Sequence, residues 1–210
     1  MNDAEDWRTI YEFWFPPGLD ADLESHRQMF RRWFGGETNT ELPHFSPLIE
    51  SAKTGRLDHW LAKPLGRLSL IIVLDQFPRS LFAGTPEAYA SDPDALRIAV
   101  EGLRNDHYDA LTKPWERMFF FMPLAHTEGP DHQERLERVV AMAEIVAREA
   151  PARLKPLYEF SVGQARGHLE VISGFGRFPH RNRILGRFST PEEMAYLEKG
   201  DFVHRRGPPG

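Results

Sequence analysis

The stretch Leu68-Ser69-Leu70-Ile71-Ile72-Val73-Leu74, ending in Asp75, constrains this chain more than any other. Seven largely apolar residues in a row must be buried on all sides. They fit a parallel strand ending in a polar residue, or one helix at the centre of a helical domain, and periodicity alone does not separate the two. No other segment reads as a partner strand, and a lone strand leaves its backbone amides and carbonyls unpaired. The segment therefore reads as a central, fully buried helix.

The rest of the chain agrees. Trp7, Ile10, Tyr11 and Trp14 fall at i, i+3, i+4 and i+7, an amphipathic helix stopped by Pro16-Pro17-Gly18. A second helix starts near Asp20, carries Leu23, Met29, Phe30 and Trp33, and ends at Gly35-Gly36. A short one is expected from Ser46 to Ala52. Leu136, Val139, Val140, Ala143, Val146 and Ala147 give the cleanest stripe, and Pro151 stops it. Thr190-Pro191-Glu192-Glu193 is a capping box with proline at the first helical position, and Thr85-Pro86 and Asp92-Pro93 look like further starts. Sixteen glycines and seventeen prolines in 210 residues suggest short helices with tight joints. The expected architecture is all-α: one domain of short antiparallel helices over residues 1–200, with residues 201–210 as a flexible C-terminal tail.

Composition excludes several functions. A net charge of −5 and a pI near 6.0 speak against nucleic acid as a partner. The chain has no cysteine, which removes disulfides, thiolate metal sites and thiol nucleophiles. Its start is acidic, unlike a secretory leader, and its longest apolar run is far short of the about 20 residues that span a bilayer, so a cytoplasmic protein without a membrane partner is expected. Phosphate-loop, zinc-protease and nucleophile-elbow motifs are missing, and Gly174-Phe175-Gly176 lacks the strand that a dinucleotide fingerprint needs. No cofactor is called for.

Three polar clusters interrupt apolar surroundings. Asp75, Gln76 and Arg79 leave the most hydrophobic segment, where burial without partners costs several kcal/mol; an Asp75–Arg79 pair at i, i+4 that merely closes the helix is the plain alternative. His126 and Glu128 follow Phe119-Phe120-Phe121, ahead of Gly129-Pro130. In a loop they would converge as an imidazole oriented by a carboxylate or as a metal-ligand pair; at a helix end His126 would be a cap. Arg177, His180, Arg181, Asn182, Arg183 and Arg187 stand among glycines and phenylalanines from Gly174 to Arg187, a donor set that suits carboxylate or phosphate, or else a network paired to acids of neighbouring helices. Asp92 and Asp94 read as a helix cap.

These clusters resemble, in order and spacing, the bacterial and fungal family catalogued as domain of unknown function 924. Its pattern is similar to residues 74–79, Ala88 to Asp92, Met122-Pro123-Leu124 with His126 and Glu128, Gln133, His168, residues 175–182 and Leu185-Gly186-Arg187. Ser80 and Ala83 stand where asparagine and arginine are expected, and Ser173-Gly174 where a basic residue is commoner. The resemblance implies a tetratricopeptide-like superhelical stack and no particular reaction.

Two functional expectations follow. In one, the clusters converge on a pocket for a small anionic or polar ligand and give it a catalytic use. Asp75, Gln76, Arg79, His168, Arg177, Arg181 and Asn182 then bind, and His126, Glu128 and His180 carry catalysis, with proton transfer by His126 or His180 and the imidazole oriented by Glu128 or Asp75. No metal is assigned. In the other, a non-enzymatic scaffold binds a peptide or protein in a groove with Trp7, Trp14, Trp33 and Trp60 exposed. A third, purely structural reading makes the clusters internal braces.

Overall fold

A computed structural model describes residues 6–19, 22–35 and 40–203, and every structural statement below concerns these. They form no strand. The helices are α1 (Trp7–Trp14), α2 (Leu23–Phe34), α3 (Ser46–Lys53), α4 (Pro64–Ile71), α5 (Phe77–Leu81), α6 (Asp92–Arg104), α7 (Pro114–His126), α8 (His132–Glu149), α9 (Lys155–Phe175) and α10 (Pro191–Lys199). Short 3-10 turns fill several of the joints.

Local chemistry sets the boundaries. Asp6 caps α1 by accepting the Arg8 amide, and Asp22 caps α2 through Ser25. The start of α2 thus falls just after the expected Asp20, which, like Gly36 at its far end, lies outside the described residues. Both halves of the α10 capping box form: Thr190 accepts the Glu193 amide, and Glu193 accepts the Thr190 amide. Pro86 opens a 3-10 turn rather than an α-helix, and Asp92 is the first residue of α6, with Ser91 as its cap.

The ambiguous segment is helical. Residues 66–78 are buried without a break, running from α4 through Ile72–Gln76 into α5. The middle five residues form a π turn, in which the Phe77 amide reaches back five residues to the Ile72 carbonyl. Pro78 supplies the physical reason: it has no amide to return to Leu74, and its ring would collide with that carbonyl in a regular helix. The wider turn re-aims Asp75 and Gln76, a role π turns often play at functional sites.

Against this axis pack α1, α6 and α7. Helix α7 is itself buried nearly all round, through Trp115, Met118, Phe119, Phe120, Phe121 and Leu124. The most extensive packing joins α7 to α8 and α8 to α9, and the short links 127–131 and 150–154 force these neighbours antiparallel. At 13, 18 and 21 residues, they give no constant repeat.

The tryptophans expected to line a groove are mostly core. Trp14, Trp33 and Trp60 are 1%, 5% and 1% exposed, and the half-buried Trp7 packs onto the same core. Trp14 and Trp33 meet Phe119 edge-on at 5.6 and 5.0 Å, the arrangement that ring quadrupoles favour. The aromatic groove of the scaffold expectation is therefore not formed. Phe202 and Val203, at the start of the expected tail, are buried, with Val203 against Gly167; residues 204–210 lie outside the described residues.

Candidate functional site

Asp75 lies at the centre of the first cluster and is fully buried. Both its oxygens are 2.9 Å from His126 Nδ1, and Oδ1 also accepts from Arg79 Nη2 at 3.1 Å. Gln76 Nε2 donates to Oδ2 and lies 3.4 Å from the Met122 sulfur. Because Nδ1 faces a carboxylate, it carries the proton, and Nε2 is left as the other end of the ring.

Asp92 joins this cluster to the third. Its Oδ1 accepts from Arg79 Nη2 at 2.6 Å and its Oδ2 from Arg181 Nη1 at 3.4 Å. Arg181 Nη1 also donates to the His126 carbonyl at 2.9 Å, at the open C-terminal end of α7. The guanidinium lies 4.4 Å from the Tyr89 ring and 4.6 Å from the Phe178 ring, held between two aromatic faces. Three stretches, around residues 75–79, 92 and 126–181, are thus joined by one chain of charge.

The acids separate electrostatically. Burial is the largest influence on Asp75 and pushes its pKa up, but His126 and Arg79 together outweigh it and hold the carboxyl below the usual range. Burial also pushes Asp92 up, and there the nearby Asp75 charge helps keep it raised despite Arg79. Burial and the proximity of Arg79 bring the Arg181 guanidinium down to about 10.

The loop that delivers Arg181 begins where α9 ends. Gly176 has φ +68°, a left-handed turn that a side chain would strain, and Phe178 then buries its ring. Glu128 pins this loop: Oε1 accepts the Phe178 amide at 2.7 Å, and both oxygens pair with Arg187. Arg187 and the Phe178 amide keep the Glu128 pKa low although burial opposes them. Helix α7 ends at His126, and Thr127 turns the chain away, so Glu128 is directed to the loop while Asp75 orients the imidazole. Arg177 and Asn182 also face elsewhere. Arg177 forms a fork to Glu193 at 2.7 and 2.9 Å, and Asn182 reaches Glu193 at 3.1 Å, bracing the loop against α10.

A cavity of about 240 Å³ opens beside the cluster. Its wall contains Arg79, Arg181, His126, His168 and His180, the rings of Tyr89 and Phe178, and the small residues Ala83, Gly84 and Ala88. His168 and His180 each pack on Phe178, at ring distances of 5.5 and 5.4 Å. The wall has no carboxylate, since Asp75 and Asp92 lie behind it. Of the sequence-expected residues, Arg79, His126, His168, His180 and Arg181 meet at this wall. Asp75 and Gln76 support it, and Glu128, Arg177 and Asn182 hold the loop. Asp92 and Tyr89 also belong to the site; the family-like stretch Ala88 to Asp92 contains both, but neither was among the residues expected to bind or catalyse. No group of three or more described His, Asp or Glu side chains is placed to hold a metal ion.

Two guanidiniums and a carboxylate-held imidazole around a cavity define an all-helical protein with a buried ion-pair cluster behind a basic concavity. The chain belongs to the family described as "Bacterial protein of unknown function (DUF924)", matched over residues 10–201. It is also similar to a solved structure, the protein of unknown function ATU0120 from Agrobacterium tumefaciens. The two are 33% identical, with 92% of this chain and 97% of that one covered and a TM-score of 0.73. No curated protein matches the chain. No described helix is long and apolar enough to cross a membrane.

Proposed function

We propose that the cavity beside Arg79, His126 and Arg181 binds a small anionic ligand. The observation that carries this reading is the asymmetry of charge: the wall has two guanidiniums and three imidazoles, while the balancing carboxylates are buried behind it. Arg79 and Arg181 are also incompletely used. Hydrogen bonds to described residues engage only Nη2 of Arg79 and only Nη1 of Arg181. Their Nε atoms are sealed without a partner. Each guanidinium leaves one terminal nitrogen with no acceptor among the described residues, and a bound oxyanion supplies one. The tie to the His126 carbonyl and the aromatic faces on Arg181 keep the donors in place before a ligand arrives.

Inorganic phosphate tests this on the full chain by titration calorimetry. Saturable binding is expected, weakening as salt screens the charges. In Arg181→Met, loss of a charge-assisted hydrogen bond of about 1.5–3 kcal/mol lowers affinity roughly 10- to 150-fold. Arg181→Lys, which keeps the charge and loses the planar fork, falls between. Heat signals that never saturate, or equal affinity in folded Arg181→Met, would discard the reading.

A further inference from the structure

Each wall guanidinium presents one terminal nitrogen. Asp75 and Asp92 take Arg79 Nη2, Asp92 and the His126 carbonyl take Arg181 Nη1, and both Nε atoms are sealed. Neither arginine can offer the two parallel nitrogens that grip a planar carboxylate side-on. Single donors from two different residues instead suit separate oxygens of a tetrahedral anion, and two fixed positive charges on the wall suit a dianion.

The same wall has few groups that could attack such an anion. The chain has no cysteine, and the wall has no serine, threonine or carboxylate. His126 has the arrangement that nucleophilic catalysis requires: a buried carboxylate holds Nδ1 protonated, so the lone pair is on Nε2, at a residue of the cavity wall.

We infer that His126 Nε2 is a nucleophile that accepts a phosphoryl group from a small phosphoric monoester or acyl phosphate held by Arg79 and Arg181. This rests on the anion-site reading above and adds a reaction to it. As the N–P bond forms, the bond from phosphorus to the leaving oxygen breaks. An alkoxide leaving group takes its proton from an imidazolium of the wall, His168 or His180, whereas the carboxylate released from an acyl phosphate needs none. Arg79 and Arg181 hold the non-bridging oxygens, and the Asp75 carboxylate stabilises the imidazole as it becomes positive. Water then attacks phosphorus as the N–P bond breaks; its proton returns to the imidazole that protonated the alkoxide, or stays on the phosphate when the leaving group was a carboxylate. Inorganic phosphate leaves, and His126 returns with Nδ1–H still on Asp75. No oxidant, reductant or metal enters the balance.

Acetyl phosphate is the probe. The full chain is incubated with it, quenched in alkali, and read by intact mass and peptide mapping, because a phosphoimidazole survives alkali and falls apart in acid. One acid-labile phosphoryl group on His126 is expected, and none is expected on His126→Gln. An adduct on another residue overturns the inference, as does an unmodified wild-type chain that nonetheless binds phosphate. Release of phosphate from acetyl phosphate without any adduct overturns the covalent step as well. Failure to bind phosphate at all sinks the anion site, and the nucleophile with it. Because the adduct is sought on the wild-type chain, the result does not depend on whether the variant folds.

Discussion

Replacing Asp75 by asparagine removes one oxygen and one charge from the most buried point of the charge cluster. The carboxylate accepts from His126 Nδ1, Arg79 Nη2 and Gln76 Nε2, and it is 0% exposed. An asparagine turns an NH2 group towards one of these donors, leaves Arg79 with Asp92 as its remaining acid, and leaves His126 with no carboxylate. Breaking a buried pair by removing one partner costs about 3–5 kcal/mol. That is a large share of the roughly 5–15 kcal/mol that holds a typical domain. Denaturant melts at pH 7 should show this loss through the midpoint, with little change in slope. The pH profile carries the signature. The folded pKa of Asp75 is depressed, so its contribution is complete above the unfolded value of about 3.9 and is lost as pH falls below it. Asp92 is raised and works with the opposite sign: its ionisation in the fold weakens stability as pH rises. Wild type should therefore lose stability on acidification below about pH 4 more steeply than Asp75→Asn. A variant within about 1 kcal/mol of wild type, with a parallel acid limb, would refute the claim that this carboxylate is ionised and satisfied by His126 and Arg79.

Further perturbations separate the fold from the site. A methyl group on Gly66 would collide with the Trp60 carbonyl oxygen, a backbone atom, so Gly66→Ala should cost about 1–3 kcal/mol in chemical denaturation without altering phosphate affinity. Thr190→Ala removes the α10 cap and should cost about 1 kcal/mol by the same assay. An unchanged midpoint in either variant would count against the packing or the cap described.

Much of the fold was legible because helix ends are written locally. Thr190 and the proline positions act on amides within three or four residues, so sequence alone locates them. The apolar stripe of α8 likewise fixes its buried face. The segment from Leu68 was legible only through the absence of a partner strand. Its π turn comes from Pro78, beyond the end of the apolar run, and periodicity does not register it. The site was legible as a set of clusters but not as a set of partners. Asp92 is the clearest case: an acid at the first turn of a helix is sufficiently explained by the helix, and nothing local reveals that it meets Arg79 and Arg181 from elsewhere in the chain. His126 and Glu128 show the converse. Two residues apart, they looked paired, but the chain leaves the helix between them, and each is satisfied by a residue at least fifty positions away.

The proposed site requires imidazoles from distant parts of the chain to share one anion. Long-range nitrogen–proton spectra of the histidine side chains, recorded during an inorganic phosphate titration, test this most directly. The rings of His126, His168 and His180 should shift together along one saturation curve, while the exposed His44 and His59 stay in place. Stationary cavity rings, or equal movement of His44 and His59, would contradict the shared site.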